Sequence, residues 1–304
     1  MSSVAKFVRR FKGKWDFLSM HPAFRLEPVQ TTLRLASWRT RCLLRTAATV
    51  HLRRSGARML LPPNWRGVAK LIYAFRDNYE PELLYLEKVL SPGKVFVDAG
   101  ANYGIFTLLA SKVVGPTGRV ISFEPSVRAF PVLQHNITLN GFKNVIALPI
   151  ALTEESGKQL LYHDLAIGCD TLGRYPPSQV GAEEVVTEPL DDVLRRVSID
   201  HVDVIKMDVQ GAEELVLRGA GNTLSSAHPV IIFEVWPDGA ELLGLSPYGA
   251  WELLESAGYE FFATDPRGML SPIKSPPVIG NVVAIYGQAK EKAGSPGERR
   301  STSA

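Results

Sequence analysis

Cysteine is scarce in this sequence: only Cys42 and Cys169 occur among 304 residues. Two isolated cysteines supply neither a disulfide framework nor the paired spacing of a zinc site. Their scarcity favours a reducing compartment, so we expect a cytoplasmic location. Long apolar runs are also lacking, since no stretch of about 18 apolar residues occurs and the first residues lack the apolar core of a signal peptide. We therefore expect no membrane-spanning helix.

The glycine pattern of a dinucleotide-binding loop is incomplete. An apolar strand at 95–98 leads into a turn at 100–104, where Asn102 stands in place of the second glycine of Gly-x-Gly-x-x-Gly. Gly100 and Gly104 let the backbone approach a ligand, and asparagine tolerates left-handed dihedral angles. The carboxylate of Asp98 would repel a pyrophosphate and attract a cation or a hydroxyl donor. The turn therefore favours S-adenosylmethionine, which has an ammonium, a sulfonium and ribose hydroxyls but no phosphate.

A second acid lies where folds of this type bind a ribose. Glu124 follows the apolar strand 119–123, about twenty residues after the glycine turn, and an acid at this position accepts hydrogen bonds from ribose hydroxyls. The alternative is that Asp98 and Glu124 only cap helices. Both acids end strands beside one predicted crevice, which favours a βαβ unit with a ribose-bearing cofactor.

Four blocks of sequence resemble the FkbM family of S-adenosylmethionine-dependent methyltransferases. They read VDAGANYG at 97–104, GRVISFEP at 118–125, NITLNG at 136–141 and IKMDVQGAE at 205–213. The likeness extends from about residue 79 to 262, with a core at about 93–262, and the family more often has glutamate where Gln210 stands. It implies an α/β fold of class I: a Rossmann-like, seven-stranded sheet with one antiparallel edge and helices on both faces. It also implies O-methylation of small-molecule, saccharide or glycolipid acceptors.

The turn, the acids and the resemblance together predict a cofactor site at the carboxyl edge of the sheet. Glu80 is included because its segment precedes the cofactor loop in the family, which places Tyr79 and Glu80 within expected reach of the cofactor, although capping its own helix is an equally good role for Glu80. The expected cofactor residues are Glu80, Asp98, Gly100, Ala101, Asn102, Tyr103, Gly104, Thr107, Glu124, Pro125 and Ser126.

Two further carboxylates follow or end predicted strands at the same edge. Asp208 ends the strand 202–208, and Glu234 lies near the end of the strand 230–235. We expect one of them to accept the proton of the acceptor hydroxyl. A pair of carboxylates, or a divalent metal held with a histidine, is the alternative, although the spacing does not favour a metal. The residues expected to contact the acceptor are Gln210, Glu213 and His163.

The turn after Asp208 reads DVQG, whereas enzymes that methylate exocyclic amines of bases typically have an Asn/Asp-Pro-Pro-aromatic turn there. A hydroxyl acceptor is therefore favoured over an amine. Strands predicted at 157–163 and 183–187 bracket a polar insertion, in which Cys169 and Asp170 have no pattern that assigns a role. Insertions of this kind are often lids or acceptor-binding elements.

Positive charge is concentrated at the N-terminus. Residues 1–80 contain 16 lysines and arginines and 4 acids, a net charge of +12, against −9 for the remainder. We expect a basic extension at 1–78 with helices and a small antiparallel layer over 48–75. A methyltransferase domain at 79–287 and a disordered tail at 288–304 follow.

Residues 1–19 interleave five basic residues with aromatic ones. This pattern is typical of a helix that lies on an anionic membrane, at its inner face, or on a phosphorylated acceptor, and the alternative is a solvated tail. Nucleic acid is disfavoured because no RNA-binding aromatic motif accompanies the charge. The sequence does not indicate an oligomeric state.

Two other classes of function remain open. An NAD-dependent oxidoreductase would share the sheet, but the missing glycine and Asp98 disfavour it. A non-catalytic protein that binds the cofactor is favoured by the amide of Gln210 at the centre of the predicted site.

Overall fold

The computed structural model describes residues 21–165, 169–174 and 179–287. The helix predicted within 1–19 and the tail 288–304 lie outside these residues. In the N-terminal part the elements are α1 (Pro22–Leu26), α2 (Pro28–Leu43), β1 (Ala48–His51), β2 (Arg58–Leu61), α3 (Val68–Phe75) and α4 (Glu82–Val89). The antiparallel pair β1–β2 confirms part of the predicted layer.

The antiparallel layer predicted over 48–75 is wrong for residues 69–73, because these residues form the middle of α3. Ala69, Ile72 and Tyr73 are buried at the spacing of a helical face. The segment is apolar throughout and only eight residues long, so the pattern of a short strand and that of a buried helix coincide.

The central part alternates strands and helices. It contains β3 (Val95–Ala99), α5 (Ile105–Val114), β4 (Arg119–Phe123), α6 (Phe130–Leu139), β5 (Val145–Leu148), β6 (Ile150–Leu152), β7 (Gly157–Asp164), β8 (Gln179–Glu188) and α7 (Leu190–Arg196). Pro149, which has no N–H for the ladder, separates β5 from β6. As a result β5 pairs with β4, whereas β6 joins β8 in a separate three-stranded sheet with order β6-β8-β7.

The remaining elements complete the main sheet. They are β9 (Val204–Met207), α8 (Glu213–Arg218), α9 (Gly221–Ala227), β10 (Val230–Val235), α10 (Pro237–Leu242), α11 (Gly249–Ser256), β11 (Tyr259–Thr264), β12 (Leu270–Ile273) and β13 (Gly280–Tyr286). The strand order is β12-β11-β13-β10-β9-β3-β4-β5. Strands β9, β3, β4 and β5 run parallel to β10, as expected for a sheet of alternating strands and helices.

The predicted class of sheet is confirmed, but two details differ. The sheet has eight strands rather than seven, and β13 runs antiparallel between β10 and β11 instead of at an edge. The additional strand β12 contains Pro272, which makes a poor strand pattern. Proline is tolerated there because β12 lies at the edge of the sheet, where one side of the strand needs no partner.

One apolar core connects the N-terminal elements with the sheet. Trp38 of α2, Met59 of β2 and Ile72 of α3 belong to the same buried cluster as Phe96 of β3 and Leu108 of α5. Burial of large apolar side chains such as these contributes about 1.5–3 kcal/mol each. None of the helices in the described ranges combines the length and the apolar content that crossing a bilayer requires.

Candidate active site

The glycine turn after β3 is built on left-handed backbone. Gly100, Asn102 and Gly104 have φ values of 76°, 52° and 92°. A Cβ atom on Gly100 would lie 1.9 Å from the carbonyl oxygen of Asp208, so only glycine lets the turn pack against the end of β9. The turn and Asp208 are therefore held together by backbone contact.

Glu124 fixes the turn from the end of β4. Its Oε2 accepts a hydrogen bond from the N–H of Asn102 at 2.7 Å, and its Oε1 accepts one from the N–H of Ser126 at 2.9 Å. Burial raises the pKa of Glu124 to about 7, against the effect of these two hydrogen bonds. The same carboxyl group faces the cavity described below.

Asp98 lies in β3, the strand that leads into the turn. It is fully buried, and its Oδ2 accepts a hydrogen bond from Thr107 Oγ1 at 2.6 Å, while Thr107 Oγ1 is 2.8 Å from Ser122 Oγ. Its Oδ1 has no hydrogen-bond partner and lies 3.8 Å from Lys206 Nζ. Burial raises the pKa of Asp98, and Lys206 opposes this effect. Asp98 and Thr107 thus support the site rather than line it.

A cavity of about 410 Å³ opens at the carboxyl edge of the sheet. Tyr103 and Gly104, like Asp98 and Thr107, are absent from its lining, because Tyr103 is buried and Gly104 begins α5. The predicted site residues that line it are Glu80, Gly100, Ala101, Asn102, Glu124, Pro125, Ser126, Asp208, Gln210 and Glu234.

Lys206 is a buried cation in the cavity wall. Its Nζ lies 3.6 Å from Asp208 Oδ2, 3.4 Å from the carbonyl oxygen of Gly100 and 4.9 Å from the centre of the Phe106 ring. Burial opposes a charge at this position, but Asp208 and Asp98 outweigh it and raise the pKa of Lys206. Asp98 and Asp208 are therefore the carboxylates that pair with Lys206 inside β9.

Gln210 joins the two carboxylates that were predicted to be catalytic. Its Nε2 donates to Asp208 Oδ1 at 2.7 Å and to Glu234 Oε2 at 3.1 Å. Burial, and then the charge of Asp208, raises the pKa of Glu234 to about 9 and that of Glu80 to about 8. Near neutral pH, Glu80 and Glu234 therefore hold protons.

Glu213 lies beside the site but outside the cavity lining. Its buried Oε1 accepts a hydrogen bond from the N–H of Val209 at 2.9 Å, and burial raises its pKa to about 7. The side chain closes the turn between β9 and α8. This contact favours a structural role over the predicted contact with the acceptor.

His163 belongs to a different polar cluster, on the β7–β8 hairpin. Its Nδ1 is 3.1 Å from Asp170 Oδ2 and its Nε2 is 3.4 Å from Glu183 Oε1. It is therefore not grouped with Asp208 and Glu234. Across the part of the chain that the structure describes, no group of three or more histidine, cysteine or acidic side chains is placed to hold a metal ion.

Asp170 connects this hairpin to the loop after β4. Its carboxylate accepts hydrogen bonds from Ser126 Oγ at 2.8 Å, from the N–H of Asp164 at 3.1 Å and from the guanidinium of Arg128. Asp170 also lines the cavity. The sequence alone could not assign this role, because Ser126 and Arg128 lie 44 and 42 residues from Asp170 and no spacing rule connects them.

Comparison with known proteins identifies similar chains. The family model described as the methyltransferase FkbM domain matches residues 98–261. Methyltransferase sdnD of Sordaria araneosa is 28% identical over 194 residues, which is 54% of this chain and 73% of that protein. The hexuronic acid methyltransferase AglP of Haloferax volcanii is 28% identical over 138 residues, which is 45% of this chain and 54% of that protein.

A solved structure of methyltransferase FkbM from Methylobacillus flagellatus is 17% identical, with a TM-score of 0.42. The comparison covers 72% of this chain and 53% of that one. The chain thus spans about half the length of that protein and of AglP.

Proposed function

Because the chain belongs to the FkbM methyltransferase family, we propose that it transfers the methyl group of S-adenosylmethionine to a hydroxyl group of a small-molecule, saccharide or glycolipid acceptor. The similarity to AglP, a hexuronic acid methyltransferase by name, supports a saccharide acceptor. The observation that carries the proposal is a single cavity that is bounded by the glycine turn and Glu124 on one side and by Asp208 and Glu234 on the other.

The residues of the cavity fit a cationic cofactor that lacks phosphate. Five acidic side chains line the cavity, and Lys206 is the one basic side chain among the described lining residues: the acids are Glu80, Glu124, Asp170, Asp208 and Glu234. Glu80 and Glu234 hold protons near neutral pH, but the other three acids still outnumber Lys206, so the cavity favours a sulfonium and an ammonium over a pyrophosphate. The volume of about 410 Å³ lies in the ordinary range for small-molecule sites.

The turn 100–102 and Glu124 would hold the cofactor, Glu124 through its remaining lone pairs, which can accept ribose hydroxyls. When it is bound, S-adenosylmethionine supplies an electrophilic methyl group and leaves as a neutral thioether. The carbon–sulfur bond breaks as a carbon–oxygen bond forms to the acceptor oxygen. The protein orients the two reactants and excludes water, which lowers the entropic part of the barrier.

We assign the acceptance of the hydroxyl proton to Asp208. Glu234 and Glu80 hold protons near neutral pH, whereas Asp208 lies beside the cation of Lys206 and accepts the amide of Gln210. A proton released by the acceptor oxygen would therefore pass to Asp208.

Calorimetric titration with S-adenosylmethionine, its demethylated product and NAD tests the class of cofactor. We expect the first two to bind and NAD not to bind, because the cavity carries an excess of acids. A folded sample that binds neither S-adenosylmethionine nor its product contradicts the proposal.

Methyl transfer from labelled S-adenosylmethionine to a panel of sugars and glycolipids tests the reaction. We expect Asp208→Asn to bind the cofactor but to transfer methyl groups about 100-fold more slowly or worse. Asp192→Asn, an exposed acid on α7, is the matched control and should behave as the unchanged protein.

A non-catalytic binding protein is the second candidate, and the amide of Gln210 between the two carboxylates favours it. Cofactor binding without methylated product across the whole panel would support that candidate.

A further inference from the structure

Helix α2 has apolar residues on two opposite faces. Its inner face packs against the protein through Leu35 and Trp38, which are buried. On the other side, four large aliphatic side chains are 65–71% exposed. This outer stripe consists of Val29, Leu33, Leu43 and Leu44, with the exposed Ala36 and Thr40 between them.

The outer stripe is a continuous line along the helix. Its members recur at intervals of three or four residues, which places them on one side of α2. Leu26 of α1, 65% exposed, precedes the stripe. Single exposed leucines are common on protein surfaces, but an aligned row of them marks a surface that contacts something apolar.

The charges around the stripe are of one sign. Helix α2 contains arginines but no acid, and exposed arginines occur at positions 25, 39 and 45. The nearest acid, Glu27, is already paired with Arg34 at 3.1 Å.

This charge distribution selects among the partners that could cover the stripe. A second copy would bring arginines against arginines. Residues 1–20 carry five basic residues and one acid, so they would also be repelled. An anionic surface is the complementary partner.

We propose that the outer stripe and the arginines beside it form a docking surface for an anionic lipid bilayer. The leucines would enter the boundary between headgroups and acyl chains, and the arginines would remain at the headgroups.

The same helix connects this surface to the cavity. Leu35 of α2 packs in one cluster with Ala74 and Phe75 of α3, and Arg34 Nη1 donates to the carbonyl oxygen of Ala74 at 3.1 Å. Val68 and Leu71, in the first turns of α3, line the cavity. In a docked protein, α2 would lie on the membrane and α3, which lines the cavity, would lie directly behind α2. This short distance between membrane and cavity suits an acceptor that is linked to a lipid. This last step depends on the proposed function, whereas membrane binding itself does not.

Flotation of the full chain with vesicles tests the docking surface. Vesicles of phosphatidylcholine alone are compared with vesicles that also contain phosphatidylglycerol, at low and high salt. We expect binding to the anionic vesicles that weakens as salt rises. The variant Leu33→Glu/Leu43→Glu should bind about tenfold more weakly or worse, because charged side chains would replace the apolar contacts.

A matched control places the same substitutions on other exposed aliphatic residues. Val278 and Ile279 are 83% and 61% exposed, and Val278→Glu/Ile279→Glu should bind vesicles within about twofold of the unchanged protein. Leu33→Ser/Leu43→Ser keeps the charge and should also lose binding. Titration with S-adenosylmethionine and thermal unfolding show whether each variant is folded and keep this test separate from that of the proposed function.

Three results would overturn the docking surface. The first is a lack of preference for anionic vesicles. The same result is expected if residues 1–20, rather than a membrane, cover the stripe. The second is equal binding by the leucine variants. The third is a dimer of the unchanged protein that the leucine variants dissociate while vesicle binding stays absent, because a second copy would then be the partner.

Discussion

Lys206 and Asp98 form the most buried charged pair at the site. Asp98 is fully buried, and Lys206 Nζ lies between Asp98 Oδ1 at 3.8 Å and Asp208 Oδ2 at 3.6 Å. Burial of either charge alone is unfavourable, so each depends on the other. The sequence predicted that Asp98 lies at a strand end. It could not show that Thr107 would donate to Oδ2 and that Lys206 would lie near Oδ1.

Replacement of Asp98 by asparagine should leave the charge of Lys206 with one fewer partner. We expect Asp98→Asn to lower the free energy of unfolding by about 3 kcal/mol, measured by urea denaturation. Asp98→Asn combined with Lys206→Met should lose less than the sum of the single changes, because no unpaired charge remains. An unchanged free energy in Asp98→Asn would show instead that Asp98 already holds a proton in the native state.

Glu234 should make stability depend on pH. Its native pKa is about 9, above its ordinary value of 4.5. Between pH 4.5 and about 9, Glu234 therefore keeps its proton in the native state but loses it in the unfolded chain. The contribution of Glu234 to the free energy of unfolding is thus fully present at low pH and decreases as pH rises.

We expect Glu234→Gln to become more stable relative to the unchanged protein as pH rises from about 5 to about 8, because glutamine has no charge to bury. Urea denaturation at both pH values measures this difference. The exposed control Asp192→Asn should show no such trend, and a Glu234→Gln variant that shows none either would contradict the raised pKa.

At the scale of elements, contact between the glycine turn and the end of β9 aligns the two halves of the site. Gly100 and Gly115 both have positive φ values, 76° and 66°, but only Gly100 would place a Cβ atom against backbone. Substitutions at these two glycines therefore distinguish the cost of a left-handed backbone, which both share, from the cost of a steric clash with neighbouring backbone, which only Gly100 has.

We expect Gly115→Ala to lower the free energy of unfolding by about 1 kcal/mol through its backbone conformation alone. Gly100→Ala should lower it by more and should weaken S-adenosylmethionine binding by about tenfold or more, since the turn must move away from Asp208. Denaturation and calorimetry measure the two effects. Equal behaviour of the two variants would argue against the close approach.

Asp170 is one of the residues that attach the β7–β8 hairpin to the loop after β4, together with Glu183, which accepts from the N–H of Val127. Asp170→Asn should weaken its contacts with Arg128 and Ser126, and we expect faster amide hydrogen exchange over 157–164 and 179–188. Lys158→Ala removes an exposed pair with Glu184 on the same hairpin and should leave exchange almost unchanged. If exchange is the same in both variants, Asp170 does not hold the hairpin.

Local patterns predicted the elements that carry the resemblance, and tertiary contacts decided the rest. Strands β3, β4 and β9 are followed by glycine or acidic residues, which a cofactor site at a sheet edge requires. The positions of these three strands in the site could therefore be predicted from the sequence. Pro149, which has no N–H group, separates β5 from β6, and Pro272 weakens the sequence pattern of the edge strand β12. Glu213 and His163 have chemistry suited to a site, but Glu213 accepts from the N–H of Val209 in its own turn, and His163 pairs with Asp170 on its own hairpin.

For the whole molecule, charge is divided between two parts of the sequence. The N-terminal 80 residues carry +12 and the remainder −9. The acidic side chains of the cavity belong to the second part, apart from Glu80, and the arginines beside the outer stripe belong to the first. The overall charge of +3 conceals this division, which only the position along the chain and the fold reveal.

The position of β13 affects the order in which the sheet can form during synthesis. The ribosome makes β11 and β12 before β13, yet β11 reaches the rest of the sheet only through β13. Until residues 280–286 emerge, one side of β10 stays open as an unpaired edge, a common starting point for aggregation. A nascent chain that stalls before residue 280 would therefore be a natural client for a chaperone.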